Sequence, residues 1–223
     1  DFPAFTDYHD LLEVEGLDYV DICTPNYLHS VIAVDALNKG LNVFTEKPDA
    51  VSVAEVTRMK DAADASGKVL MAMRNNRHRN TAKFLKNYIA DGHMGDIYCG
   101  RCGWIRRRGI PGKGGWFTTK EQSGGGVLID WGIHYLDLIL YILGSAKLKN
   151  LTCDTYCEMA KDMKSYKYKG MWAEDTSDVE NGVNDVDDFI TGYIRTDKAS
   201  ISFNGAWAQN VDQGEMFIDF LGD

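Results

Sequence analysis

The sequence has few cysteines and no excess of positive charge. Five Cys are scattered through the 223 residues, and 24 Lys and Arg stand against 33 Asp and Glu, which leaves a net charge of −9. Duplex nucleic acids bind mainly through clustered Lys and Arg, so a pI near 5.0 argues against that class of partner. The same acidity disfavours an anionic membrane surface. Scattered Cys form no disulfide framework, which suits a reducing cytoplasm.

Long hydrophobic runs are also missing from the sequence. No apolar run approaches the roughly 18 to 20 residues that span a bilayer. The first ten residues lack the basic and apolar regions of a signal peptide. We therefore expect neither a membrane partner nor a nucleic-acid partner. With 44% hydrophobic residues, the chain can bury a core without disulfides or a structural metal.

Residues 17–73 alternate β-rich runs with helical periodicity, which is typical of βαβ units and a parallel sheet. In the second unit, Ser52 and Glu55 form a predicted capping box, and Gly67 ends the helix that follows. Three strands are predicted, at residues 19–23, 41–44 and 68–73. We interpret residues 1–75 as part of a dinucleotide-binding domain with a partial Rossmann sheet.

Three polar loops follow the predicted strands, at residues 24–26, 45–48 and 74–78. Ligands of open parallel sheets bind beyond the carboxyl ends of the strands, so these loops are the first place to look for a site. Pro48 restricts Lys47 to an extended backbone, which directs the lysine toward the crevice. A solvated turn at Glu46-Lys47-Pro48 is the alternative.

After a helix near residues 81–90, the chain changes to longer β runs. This pattern favours a second, α+β domain over residues 76–223, with a mostly antiparallel open sheet. Polar residues 161–184 are interpreted as a loop or mobile insertion. Five strands are predicted, at residues 96–106, 147–158, 187–196, 199–207 and 215–221.

One strongly apolar helix is predicted within these strands, at residues 129–143. Asp130 and His134 are four residues apart, so both side chains project from one face, which Asp137 continues. A histidine tuned by a carboxylate is a standard general acid or base near neutral pH. A surface contact or an accident of helix capping is the alternative. Because the helix is otherwise apolar, buried charges there need partners or a cleft.

Two further motifs have residues that could carry chemistry. Cys99 and Cys102 have CxxC spacing, but residues three apart on a strand point to opposite faces, so we expect no metal site. The basic, glycine-rich loop that begins at residue 106 is either a solvated loop or a lid over a sugar. In the lid, Arg108 would supply guanidinium donors to the substrate and Trp116 would stack on its ring.

Three ordered motifs make the chain resemble the glucose-fructose oxidoreductase, inositol dehydrogenase and rhizopine catabolism (Gfo/Idh/MocA) family of NAD(P)-dependent oxidoreductases. They are DICTPNYLH at 21–29, EKP at 46–48, and GGGVLID at 124–130 continued by Gly132, His134 and Asp137. The resemblance implies that Lys47, Asp130 and His134 form the catalytic group. It also implies that the cofactor is NAD or NADP and that its binding site is lined by Thr24, Pro25, Asn26, His29, Glu46, Lys47 and Asn75.

The resemblance further implies hydride transfer between a nicotinamide and a secondary hydroxyl or ketone of a sugar, cyclitol or glycoside. Two alternatives stay open: a redox-neutral NAD-dependent glycosidase, and a sensor that binds the dinucleotide without turnover. Members of this family bury the open face of the second domain's sheet between subunits. A homo-oligomer, either a dimer or a tetramer, is therefore expected.

The sequence departs from the family at its start. Members begin with a strand, a G-x-G-x-x-G turn and a helix, and no such motif occurs in these 223 residues. We therefore expect a segment of a longer protein, without roughly the first quarter of the family fold and truncated at its carboxyl end. The residue that separates NAD from NADP would lie in the missing quarter.

Overall fold

The computed structural model describes residues 3–144, 146–162 and 181–223. The chain falls into two units, Asp1–Met73 and Arg74–Asp223. Residues 163–180, which make up most of the predicted polar insertion at 161–184, lie outside the described residues.

A three-stranded parallel sheet forms the centre of the first unit. Its strands are β1 (Tyr19–Ile22), β2 (Asn42–Thr45) and β3 (Leu70–Ala72), in that spatial order. Three helices accompany them: α1 (Tyr8–Leu12), α2 (Asn26–Asn38) and α3 (Val53–Ser66). Val20, Val43 and Leu70 pair across the sheet, and α2 buries Ala33 and Leu37 completely. The predicted partial Rossmann sheet is confirmed.

Helix α3 has the ends that the sequence predicts. The Ser52 side chain accepts a hydrogen bond from the backbone N of Glu55 at 3.3 Å. At the other end, Gly67 adopts a left-handed conformation with φ of 67°, which favours glycine. The chain can therefore turn directly into β3, whose carboxyl end adjoins that of β2.

The second unit contains a five-stranded sheet in the order β5-β6-β7-β4-β8. All neighbours are antiparallel except β4 and β7, which are parallel, so the predicted mostly antiparallel sheet is confirmed. The strands are β4 (Cys99–Ile105), β5 (Leu148–Tyr156), β6 (Phe189–Thr196), β7 (Ser200–Ala206) and β8 (Glu215–Leu221). Their bounds agree with the predicted strands to within three residues.

One face of this sheet is covered by helix. Ile139 of α6 (Ile133–Leu143) packs with buried Ile201 and Phe203 in the main core of the unit. In the described part of the chain the opposite face is open: Tyr193 is 42% exposed, and the half-exposed Arg101 donates a hydrogen bond to Asp219 at 2.9 Å. Alternation along the strands thus separates an apolar inner face from a polar, aromatic outer one.

The segment before α6 differs from the predicted uniform helix at 129–143. Residues Leu128–Gly132 form a π turn, and only Ile133–Leu143 is α-helical. Wide turns of this kind occur often at functional sites. The helical stretch Lys120–Leu143, which also includes the short α5 (Lys120–Ser123), is long and apolar enough to cross a membrane. However, 56% of its most apolar window is buried in the protein, as in a core helix. Its length and composition are therefore weak evidence for a membrane span.

Candidate active site

Asp130 lies in the π turn and is only 5% exposed. Its carboxylate Oδ2 accepts a hydrogen bond from the indole Nε1 of Trp207 at 2.8 Å. Its backbone N donates to the carbonyl of Gly126 at 3.1 Å, which ties it to the glycine-rich segment. A buried carboxylate needs hydrogen-bond partners, and one partner of Asp130 is Trp207, which directly follows β7.

Asp187 holds the start of the turn that carries Asp130. Its carboxylate accepts hydrogen bonds from the backbone N of Gly126 at 2.9 Å and of Leu128 at 3.3 Å, and its carbonyl accepts one from Val127 at 3.1 Å. A Cβ on Gly126 would lie 1.9 Å from that carbonyl oxygen. Glycine is therefore the residue that fits position 126, and the acidic group caps the exposed N–H groups of the turn.

His134 is half-buried and lies at a cavity within the second unit. The cavity has a volume of about 410 Å³. Polar groups of Asn75, Asn76 and Arg79 line it together with His134, as do the rings of Trp104 and Tyr135. Burial raises the pKa of Tyr135 to about 12, so its hydroxyl stays protonated at neutral pH. This combination of a histidine, amides and aromatic rings suits a small polar ligand.

Asp137 of α6 pairs with two arginines near the cavity-lining residues Asn75 and Asn76 in the sequence. Its Oδ2 accepts from Arg77 Nε at 2.7 Å, its other oxygen accepts from Arg77 Nη2, and Arg74 Nε lies 3.5 Å from that oxygen. Arg77 belongs to the 3₁₀ turn Asn75–His78, so the ion pair fixes that turn against α6. The hydrogen bond to Asp137 raises the pKa of the Arg77 guanidinium.

Arg108 and Trp116 have neighbours in the glycine-rich loops of this unit. Arg108 Nη2 donates to Asn210 Oδ1 at 2.7 Å, and its Nη1 donates to the Gln209 carbonyl at 3.2 Å. The ring of Trp116 packs edge-on against Phe117 at 4.9 Å. Neither side chain is among the described residues that line the 410 Å³ cavity. Their predicted role in substrate binding stays a prediction.

In the first unit, His29 connects two of the predicted cofactor loops. The ring is fully buried, with Nδ1 2.7 Å from the carbonyl oxygen of Pro48 and Nε2 2.8 Å from that of Thr24. The loop after β1 and the loop after β2 are thereby held by one imidazole. Lys47 precedes a cis peptide bond to Pro48, and its backbone N donates to Glu46 Oε2 at 3.0 Å.

The loop after β1 offers polar groups to a ligand. Asn26 is buried in the first turn of α2, next to Pro25. The buried hydroxyl oxygen of Thr24 has no hydrogen-bond partner in the described part of the chain. Buried hydroxyls are normally paired, so Thr24 Oγ1 is free to bond a group that lies at the carboxyl end of β1. These residues fit a dinucleotide at the position where parallel sheets bind one.

The cysteines of β4 follow the strand alternation. Cys102 is 1% exposed, and burial raises its thiol pKa to about 12, whereas Cys99 is half-buried. A thiol with such a pKa stays protonated and is a poor metal ligand. Within residues 3–144, 146–162 and 181–223, no three His, Cys, Asp or Glu side chains are placed to hold one ion.

Sequence reasoning missed Trp207, Asp187 and the partner of Asp137. Trp207 ends a predicted strand and bonds a residue 77 positions away, for which local patterns carry no signal. Asp187 begins another predicted strand as one of two consecutive aspartates, and an acidic pair at a strand start was the available signal. Arg77 lies in a predicted loop, and its charge alone does not identify it as the partner of Asp137.

Both parts of the chain match a known protein family. Residues 1–73 match a family model described as "Oxidoreductase family, NAD-binding Rossmann fold", and residues 83–222 match the "GFO/IDH/MocA C-terminal domain". The chain is 33% identical over 215 residues to a putative UDP-kanosamine synthase oxidoreductase subunit of Amycolatopsis mediterranei. That match covers 95% of this chain and 57% of the relative.

Two more known proteins are similar to this chain, one in sequence and one in fold. D-glucoside 3-dehydrogenase of Escherichia coli is 34% identical over 206 residues, which cover 92% of this chain and 57% of the relative. Levoglucosan dehydrogenase in complex with NADH and levoglucosan shares the fold with a TM-score of 0.80 at 24% identity, over 98% of this chain and 55% of that one. The chain thus spans little more than half the length of the proteins that it matches.

Proposed function

Because the chain belongs to the GFO/IDH/MocA oxidoreductase family, we propose that the natural protein is an NAD(P)-dependent dehydrogenase. It transfers a hydride between the nicotinamide and a secondary hydroxyl, or ketone, of a sugar, cyclitol or glycoside. One observation carries the proposal: the buried Asp130 of the π turn lies four residues before the cavity-lining His134, which is in the first turn of α6. The cavity offers amide and guanidinium donors, which suit a polyhydroxylated ligand.

Each catalytic residue has a distinct role in this proposal. His134 accepts the proton of the substrate hydroxyl as general base, and Asp130 orients the imidazole and stabilises its cationic form. Lys47 polarises the substrate oxygen and stabilises the developing alkoxide. In the reverse direction His134 returns the proton to the carbonyl oxygen.

The cofactor supplies the hydride acceptor when it is bound. Thr24, Asn26 and Glu46 provide side chains for it, and the His29 imidazole holds the loops of Thr24 and Pro48 in place. Asn75 lines the cavity together with His134, which suits a position near the reacting carbon. The proposal covers both NAD and NADP, since the sequence motif that separates them does not occur in these residues.

The substrate class follows from chemistry and from the relatives. D-glucoside 3-dehydrogenase bears the name of a glycoside substrate, and levoglucosan dehydrogenase binds levoglucosan in its solved complex. Both names support a glycoside or an anhydrosugar as the first compounds to test. We further propose a cytoplasmic homo-oligomer that forms through the open face of the five-stranded sheet, where Tyr193 is exposed.

The test uses the natural protein, with whatever sequence adjoins these 223 residues in its gene. Absorbance of reduced nicotinamide is followed with NAD⁺ or NADP⁺ and a panel of sugars, cyclitols and glycosides, while product release is measured in the same samples. Accumulating reduced cofactor establishes the dehydrogenase. Product release without accumulation identifies the redox-neutral glycosidase, and tight NAD binding without either identifies the sensor.

The His134→Ala variant tests the assignment of the base. Turnover should fall by roughly 10²–10⁴-fold, because a positioned general base contributes about that much. Dinucleotide binding should stay near that of the unchanged protein. His93→Ala is the matched control, because His93 is exposed on the turn that follows α4 (Asn80–Ala90). Equal turnover in both variants contradicts the role of His134.

A further inference from the structure

Trp207 is a buried residue that has no role in the proposed mechanism described above. It follows β7 directly, is 1% exposed, and donates its indole N–H to Asp130 Oδ2 at 2.8 Å. Hydrogen bonds to a charged acceptor in a buried environment are stronger than neutral ones. Trp207 therefore acts directly on the carboxylate that is proposed to orient His134.

Both the backbone and the ring of Trp207 are held in place. The backbone N of Trp207 donates to the carbonyl of Asp188 at 2.9 Å, and the preceding Ala206 pairs with Phe189 across β6 and β7. Phe117 packs against the indole with ring centroids 5.7 Å apart. A donor held this firmly does not need to reorganise when charge changes nearby, which is the property of a preorganised group.

We propose that Trp207 is a positioning residue, which holds the Asp130 carboxylate in one rotamer so that it orients the His134 imidazole. This inference rests on the proposed dehydrogenase function. Loss of the indole N–H then lets the Asp130 carboxylate rotate. In the rotated state it orients the imidazole less well during the chemical step.

A second tryptophan provides an internal comparison. Trp131 is also 1% exposed and follows Asp130 in the sequence, but its Nε1 has no hydrogen-bond partner among the residues that the structure describes. Its ring lies against Gly205, where an added Cβ would be 1.7 Å from Nε1. Replacement of either indole by a phenyl ring removes a similar buried volume. Only at position 207 does it also remove a hydrogen bond to Asp130.

The experiment compares Trp207→Phe with Trp131→Phe in the natural protein, with the substrate that the panel identifies. We expect kcat of Trp207→Phe to fall by about 10- to 100-fold, the equivalent of a lost hydrogen bond to a charged group. KM should stay within about threefold, because the interaction acts on the chemical step rather than on substrate binding. Trp131→Phe should change kcat by less than about threefold.

A double-mutant cycle separates positioning from packing. In an Asp130→Ala background, which lacks the acceptor, Trp207→Phe should cause little further loss of kcat, whereas a packing defect would be additive. If Trp207→Phe does not fold, 3-benzothienylalanine at position 207 keeps the shape of the ring and replaces only the N–H. The same loss of kcat is expected for that protein.

The outcomes distinguish this inference from the function on which it rests. An unchanged protein without NAD(P)-dependent turnover overturns the proposed function and this inference with it. An active protein in which Trp207→Phe and Trp131→Phe have equal kcat overturns the positioning role alone. Additive losses in the Asp130→Ala background also overturn it, because they assign the effect of Trp207 to packing.

Discussion

The phenol of Tyr135 shows how burial sets the ionisation of a single residue. Its pKa is raised from 10.0 to about 12 in the folded protein. Between these pH values the unfolded chain loses the proton and the folded protein keeps it, so the free energy of unfolding falls as the pH rises. Tyr135→Phe should reduce that fall by up to about 3 kcal/mol. Urea denaturation at a series of pH values above 8 measures it.

Tyr98→Phe is the control for this titration. The ring of Tyr98 is 57% exposed, so the substitution changes an exposed phenol on the same domain. The stability of Tyr135→Phe should become less pH-dependent than that of Tyr98→Phe. If both variants lose stability equally with rising pH, burial of Tyr135 does not govern its ionisation.

At the residue scale, the sequence predicts the functional residues Asp130 and His134 better than it predicts their distant partners. Asp130 and His134 can be found because the spacing of four residues is a local pattern. Trp207 cannot be found in this way, since its hydrogen bond joins two segments that only the folded sheet brings together. The polar groups of Asn76 and Arg79 were also missed as cavity residues, because a cavity is a property of several elements at once.

At the scale of elements, the junction between the glycine-rich segment and Asp187 controls where Asp130 lies. In Gly126→Ala, the new Cβ would overlap the Asp187 carbonyl oxygen at 1.9 Å, so the start of the helix must shift. We expect a loss of roughly 1–3 kcal/mol in the free energy of unfolding, as for other overpacked sites. Turnover should fall as well, because Asp130 moves with the turn. Chemical denaturation and kcat measurements test the two effects.

Gly100→Ala is the matched control in β4. A Cβ at that position meets Ile139, Ile201 and Asp219 at 3.6 to 3.9 Å, which is ordinary van der Waals contact. Its effect on stability should therefore be clearly smaller than that of Gly126→Ala. Equal losses in the two variants contradict a steric requirement for glycine beside Asp187.

The elements themselves were largely predictable, and their pairing was less so. Strand β8 was predicted with the bounds that the structure has, Glu215–Leu221, because a β-rich run ends there at a glycine. The parallel pairing of β4 with β7 was not predicted, since strand patterns carry no information on which strands become neighbours. The π turn was likewise missed, because apolar periodicity does not distinguish a wide turn from an α-helical one.

At the scale of the whole molecule, the homo-oligomer that we propose would form through the open face of the five-stranded sheet. Along one row of that face, Thr152, Tyr193, Ser202, Arg101 and Asp219 are neighbours across all five strands. Aromatic and Arg side chains are enriched in the centres of protein interfaces. The same face in a second copy presents the complementary charges of Arg101 and Asp219, which suits a two-fold symmetric contact.

Tyr193→Lys tests this association. A lysine in the centre of the contact would bring uncompensated charge into a desolvated site, so the natural protein should dissociate or associate more weakly. We expect the mass measured by light scattering to shift to that of a smaller species at the same concentration. Val53→Lys is the control, because it adds the same charge at an apolar side chain that is 84% exposed in the first turn of α3. If Tyr193→Lys keeps the oligomer of the unchanged protein, the sheet face is not the contact. A monomeric unchanged protein contradicts the proposed homo-oligomer itself.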